Sequence, residues 1–248
     1  MLAKIMKNNN KIIGLIGGMG PFAGAEFCRL LFEKSSKNFG AVNSGDFPEV
    51  VLDSVPVRDF ISDTKSLPDA RRVLTERIKK LNKFGCNKIA MVCNTSHILF
   101  PLLSKVSAVE MISLINSVRD FVISNNLKRV GLLATKTSVK SNLFQNAFKS
   151  TGVEIVVPDP KTLNICEIVI RNVIANRISK KTVNKLVKNT NTFIKKQNLD
   201  GVILGCTELP LAFPKNTKLN IVNCLDVLSD KLLEDHYGKK LIAQQRSI

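Results

Sequence analysis

Residues 88–97, KIAMVCNTSH, and residues 201–210, GVILGCTELP, are two versions of one pattern: a short apolar run, a cysteine at its carboxyl end, then a polar turn. Apolar runs of this length that are rich in β-branched residues read as buried strands. Cys93 is followed by Asn94-Thr95 and Cys206 by Thr207-Glu208, residues that start helices. The two cysteines lie 113 residues apart. A second pair, Lys11-Ile-Ile-Gly-Leu-Ile and Lys128-Arg-Val-Gly-Leu-Leu, repeats with Gly14 and Gly131 separated by 117 residues. Repetition at nearly one offset reads as a chain of two related halves.

Working outward, strands are expected at 11–16, 49–55, 88–92, 129–134, 153–157, 201–205 and 220–223. Helices are expected at 22–35, 67–84, 97–104, 110–125, 138–150, 161–176, 180–197 and 225–235. Strands alternating with longer helical patterns imply an α/β fold with parallel sheets. The expected division is a first α/β domain over 1–104, completed by 221–248, and a second over 105–220. The chain is expected to cross between halves near 101–108 and at the Pro214–Thr217 turn, with the C-terminal helix packing back on the first half. Ligands bind at the carboxyl ends of strands in open parallel sheets. Both cysteines therefore stand where a ligand is expected.

Composition narrows the classes. The chain has 248 residues, 44% hydrophobic and 23% charged, which excludes general disorder. Thirty-seven Lys and Arg against twenty Asp and Glu give a net charge of +17. Residues 171–196 hold Arg171, Arg177, Lys180, Lys181, Lys185, Lys188, Lys195 and Lys196 with no acid among them. Such a run reads as a solvated helix face. No aromatic residues are interleaved as a stacking platform for single strands, and no nucleic-acid motif is present. Six cysteines without paired spacing argue against a zinc site or a disulfide framework, and for reduced, cytoplasmic thiols. Lys4, Lys7 and Lys11 before IIGLIGGMGPFAGA resemble a signal peptide, but five glycines and a proline break the apolar stretch. Residues 1–10 are set aside from the fold, with Met6 an alternative start to Met1. No run approaches the roughly 20 apolar residues of a membrane helix.

The paired cysteines suggest chemistry. A thiol at a helix N-terminus has its pKa lowered by the unpaired N–H groups, and the same groups offer a seat for a carboxylate. Two such sites facing each other would hold an amino acid with a thiol on either side of its Cα. Proton removal from one face and return from the other is racemisation or epimerisation. The glycine-rich turn, Gly14 to Pro21, contains a partial dinucleotide fingerprint read from Gly18, with Asp53 where a ribose ligand would sit. A tight strand-to-helix turn lining a cleft explains it better. His97 reads as a structural residue, and Glu208 either orients Cys206 or caps its helix. Cys28, Cys86, Cys166 and Cys224 read as small buried hydrophobes.

GGMGP (17–21), CNTSH (93–97) and GCTELP (205–210) together resemble the cofactor-independent aspartate/glutamate racemase family, the aspartate branch in particular. The resemblance implies two similar α/β domains related by a pseudo-two-fold axis, with the active site in the cleft between them. It implies Cys93 and Cys206 as the catalytic pair and the turns Asn94-Thr95 and Thr207-Glu208 as the α-carboxylate seat. Met19 of the first turn joins the substrate-binding set, and Arg58, in VPVRD, would grip the side-chain carboxylate with its planar fork. Gly24 stands where the family commonly has Thr. Ile174 stands where a second basic residue is expected, with Arg171 and Arg177 one turn away. The implied function is a PLP-independent racemase interconverting L- and D-aspartate, or a related acidic amino acid, with no cofactor and no metal. The expected partners are the small-molecule amino acid and a second copy of the chain in a homodimer, with no nucleic acid and no membrane. The alternatives are a broad-specificity amino-acid racemase, a hydantoin racemase or a maleate isomerase. A further one, raised by the net charge of +17, is a non-enzymatic polyanion-binding protein on the same scaffold.

Overall fold

In the computed structural model, residues 11–59 and 64–241 are described. The reading of residues 1–10, including the alternative start at Met6, lies outside them. The first half runs β1 (Ile12–Gly17), α1 (Pro21–Phe39), β2 (Glu49–Ser54), α2 (Leu67–Phe84), β3 (Lys88–Met91), a 3-10 turn (Thr95–Leu99), α3 (Phe100–Leu103) and β4 (Glu110–Ile112). Helix α4 (Leu114–Ser124) leads to the second half. There follow β5 (Arg129–Ala134), α5 (Lys136–Lys140), α6 (Leu143–Phe148), β6 (Glu154–Val156), α7 (Pro160–Ile174), α8 (Lys180–Gln197), β7 (Gly201–Gly205), α9 (Leu209–Ala212), β8 (Ile221–Asn223) and α10 (Cys224–Tyr237).

The strands form two four-stranded parallel sheets in the same order, β2-β1-β3-β4 and β6-β5-β7-β8. The helix starts follow local chemistry. Asp159 caps α7 by accepting the Thr162 N–H, with Pro160 in the first turn, and Ser179 caps α8 through the Thr182 N–H. Gly18 makes the first turn possible. Its φ is +87°, and a Cβ there would lie 2.2 Å from the Val55 nitrogen.

Three expectations are corrected. The helix expected over 110–125 begins only at Leu114, because Glu110–Ile112 pairs with β3 and Ser113 caps the helix by accepting the Asn116 N–H. The helix expected over 138–150 is two helices, separated at Asn142 in a left-handed conformation. The ladders place 110–112 in the first sheet and 221–223 in the second, whereas the expected division assigned each to the other half. Backbone pairing across a sheet edge decides this, and three-residue strands leave little pattern to read.

Among the described residues the apolar interior has three parts. One spans both halves: Leu15 and Ala90 of the first sheet, Leu132 and Ile203 of the second, and Phe27, Val118 and Leu228 from α1, α4 and α10 belong to one cluster. The outer face of the first sheet packs on α2, through Leu74 and Ile78. The outer face of the second packs on α7 and α8, through Ile170 and Leu186. Helix α10 docks on α1 and α4. At the first of these contacts Lys34, only 5% exposed, meets Asp230 at 2.8 Å and Asp226 at 3.1 Å. The halves are thus held by shared core as well as by chain connection.

Candidate active site

The carboxyl ends of the central strands of both sheets converge on a cavity of about 250 Å3. That is below the roughly 300–1,000 Å3 of pockets that enclose drug-sized ligands, and it suits a small metabolite. Cys93, just beyond β3, and Cys206, directly after β7, both line it. So do Met19, Arg58, Thr95 and Glu208. Asn94 and Thr207 do not line it. Asn94 is buried with its Nδ2 donating to Cys224 Sγ at 3.3 Å, and the buried Thr207 hydroxyl donates to Glu208 Oε2 at 3.1 Å. Cys224 therefore has a polar partner from outside its own sequence neighbourhood.

Glu208 joins the two halves. Its Oε2 accepts the Cys206 S–H at 2.9 Å, and its Oε1 accepts the Gly20 N–H at 3.0 Å. The side chain is 2% exposed and makes no capping bond to α9, so of the two roles open to it, it orients Cys206. Burial pushes its carboxyl above the ordinary range.

Both thiols are also pushed up, against the expectation of a lowered pKa. Burial moves Cys93 up to about 12, and the Glu208 charge adds to this. The N–H groups of Ser96 and Thr95 and the Ser96 hydroxyl act in the opposite direction. Cys206 is raised well above its ordinary value by burial first and by Glu208 second. The helical pieces that follow the cysteines are a five-residue 3-10 turn and the four-residue α9. Turns so short carry little dipole, and desolvation outweighs it.

Three hydroxyls close a ring between the halves. Thr95 Oγ1 lies 3.1 Å from Thr135 Oγ1, Thr135 donates to Ser138 Oγ at 2.9 Å, and Ser138 donates back to Thr95 at 3.2 Å. Thr135 also lines the cavity. Sequence reading missed it, although the 117-residue offset that aligns Gly14 with Gly131 sets Thr135 opposite Gly18 of the first turn. The reading also assigned no role to Asp59, which lines the cavity together with Arg171 and Ile174 of α7. Ile174 leaves the wall apolar where a basic residue was expected.

His97 stays outside the chemistry. It is buried, its Nδ1 lies 2.8 Å from the Cys93 carbonyl oxygen, and its Nε2 accepts the Leu114 N–H at 3.0 Å. Nδ1 must then carry the proton and donate. Asp53 pairs with Arg77 at 3.6 Å, as a side chain of the sheet-to-α2 contact. Among the described residues no group of three or more His, Cys, Asp and Glu is arranged to hold a metal ion, and no helix is long and apolar enough to cross a membrane. Two thiols, one from each half, thus line one small cavity together with the Thr95 and Thr135 side chains and two arginines.

A family model for Asp/Glu/hydantoin racemases matches residues 16–228. The broad specificity amino-acid racemase RacX of Bacillus subtilis (strain 168) is 25% identical over 149 residues, 60% of this chain and 65% of that protein. The glutamate racemase of Actinobacillus pleuropneumoniae serotype 5b (strain L20) is 25% identical over 148 residues, 57% of this chain and 55% of that protein. The matches thus span between half and two thirds of these curated relatives. Among solved structures, the Picrophilus torridus aspartate racemase superposes with a TM-score of 0.78 at 26% identity, covering 95% of this chain and 98% of that one.

Proposed function

The chain belongs to the Asp/Glu/hydantoin racemase family, and from that premise we propose that it is an amino-acid racemase that inverts the α-carbon of aspartate by a two-thiol mechanism. The observation that carries the reading is that Cys93 and Cys206, from the two halves, wall the same 250 Å3 cavity. One cysteine, as thiolate, removes the Cα proton; the opposite thiol delivers a proton to the other face. This pair supplies both proton transfers, so the reaction calls for neither PLP nor a metal.

The raised thiol pKa values give the substrate a part in the mechanism. An amino acid brings an ammonium into the buried site, and a positive charge beside a thiol favours thiolate. The basic form is thereby produced chiefly when substrate is present. The Thr95 and Thr135 hydroxyls, now bonded within their ring, are the donors available to the substrate carboxylate as the carbanion develops. Arg58 and Arg171 on the cavity wall support an acidic side chain.

One observation favours a second reading, a broad-specificity racemase: Ile174 forms apolar wall beside Gly20, where a Cβ would lie 3.0 Å from the isoleucine. Incubating the protein with each enantiomer of aspartate, glutamate and alanine in heavy water, followed by chiral separation, decides between them. Interconversion of aspartate with α-deuterium uptake is expected, with no added cofactor. Alanine turned over as well as aspartate would favour the second reading. No turnover of any of the three by folded protein would refute both.

A further inference from the structure

Arg171 and Asp59 meet on the wall of the cavity that both of them line: Arg171 Nη1 donates to Asp59 Oδ2 at 3.0 Å. Arg171 stands on α7 in the second half, and Asp59 follows β2 in the first, next to Arg58. Arg171 Nε also donates to Glu167 Oε1 at 3.3 Å, one turn back on α7, and Lys136 Nζ lies 3.2 Å from Glu167 Oε2. Asp59 thus brings a carboxylate of the protein itself to a guanidinium on the cavity wall.

Resting on the reading of this cavity as an amino-acid site, we propose that Asp59 is an internal stand-in for the distal carboxylate of an acidic substrate. On binding, the substrate carboxylate replaces Asp59 on Arg171, and Asp59 turns out to solvent. The side chains of the pair are 45% and 51% exposed. Ion pairs this exposed contribute little to stability, so the exchange is not held back by the bond it breaks. The incoming carboxylate is tethered through the rest of the bound molecule, which raises its effective concentration at Arg171. A neutral amino acid offers nothing to exchange and leaves the Arg171–Asp59 bridge in place. The preference for acidic substrates then comes from Arg171, Asp59 sets the competition that limits it, and removing this competitor should tighten dicarboxylates alone.

The test measures binding separately from turnover. Succinate and propionate are titrated calorimetrically into the wild-type protein and into Asp59→Asn, which keeps the shape and removes the charge. Asp59→Asn is expected to bind succinate roughly two- to fivefold more tightly, the range of a half-exposed ion pair, with propionate unchanged. The KM for aspartate should fall by a similar factor. Weaker succinate binding would mean that Asp59 merely holds Arg171 in place, and would overturn the proposal. Equal tightening of succinate and propionate would overturn it too, by making the bridge a general gate. Arg171→Met should weaken the preference for succinate and erase the effect of Asp59→Asn; an effect of Asp59→Asn that survives in the Arg171→Met background sinks the idea. Tightening of succinate in a protein that racemises no amino acid would support this exchange while refuting the racemase reading.

Discussion

The carboxylate of Glu208 raises both thiols at once, through a hydrogen bond and charge at Cys206 and through charge at Cys93. Its own carboxyl is raised by burial. Replacing Glu208 by Gln removes the charge and leaves an amide oxygen to accept the Gly20 N–H. The expected result is that both thiols ionise at lower pH. The alkaline limb of log kcat/KM should move down the pH scale, and iodoacetamide should alkylate the cysteines faster near neutrality. An unmoved limb with unchanged alkylation would remove Glu208 from the control of thiol ionisation. At this scale the motifs were legible only in part, since Asn94 and Thr207 belong to them and do not line the cavity. The cysteines at strand ends, Met19, Arg58 and Glu208 were all found beside one cavity. Thr135 and Asp59 were not found. Their place comes from contacts across the halves, with Thr95 and Arg171, that no local pattern records.

Elements are joined near the cavity by His97. Its ring holds the 3-10 turn after β3 to the start of α4, by donating to the Cys93 carbonyl and accepting from Leu114, and it stacks on Phe100. Burial lowers its pKa from 6.5 to about 4. An unfolded chain therefore takes up this proton first as pH falls. A group depressed in this way contributes stability that is present above about pH 6.5 and lost as pH falls toward 4. The loss is up to about 3 kcal/mol. Urea unfolding measured across that interval should show this slope, and His97→Gln should flatten it. A wild-type curve as flat as the variant's would show that the folded imidazole takes up its proton as readily as the unfolded one. Long elements were legible: α2 and α8 were bounded from sequence, because amphipathic periods and end signals agree over 18 residues each. Helix α9 and strand β4, with four and three residues, were not. Neither completes enough of a period to be seen, and both are fixed by what they pack against.

Across the whole molecule, two sheets of identical order share one core, and the internal repeat in the sequence foretold that duplication. The positive charge fits the same picture: Lys180, Lys181, Lys185, Lys188, Lys195 and Lys196 are exposed along α8, whose buried side carries Val183, Leu186 and Phe193. The surroundings of the two cysteines differ between the duplicated halves. Cys206 donates to a carboxylate and is approached by the Glu208 N–H, whereas Cys93 is approached by the Ser96 and Thr95 N–H groups and, among the described residues, donates to no carboxylate in the same way. N–H groups at sulfur favour thiolate and a neighbouring carboxylate opposes it, so under the two-thiol proposal Cys93 is expected to be the readier base. Removing either thiol, as Cys93→Ala or Cys206→Ala, should lower net racemisation of aspartate by roughly a hundred- to ten-thousand-fold, because acid and base must act together. Each variant keeps one base facing one side of Cα. In heavy water Cys206→Ala should exchange the α-hydrogen of one enantiomer with retention, and Cys93→Ala that of its mirror image. The exchange through Cys93 should be the faster at neutral pH. NMR of α-deuterium uptake for both enantiomers with both variants tests this. Uptake into the same enantiomer by both would mean that the thiols do not face opposite sides of Cα. Near wild-type racemisation by either variant would take that cysteine out of the reaction.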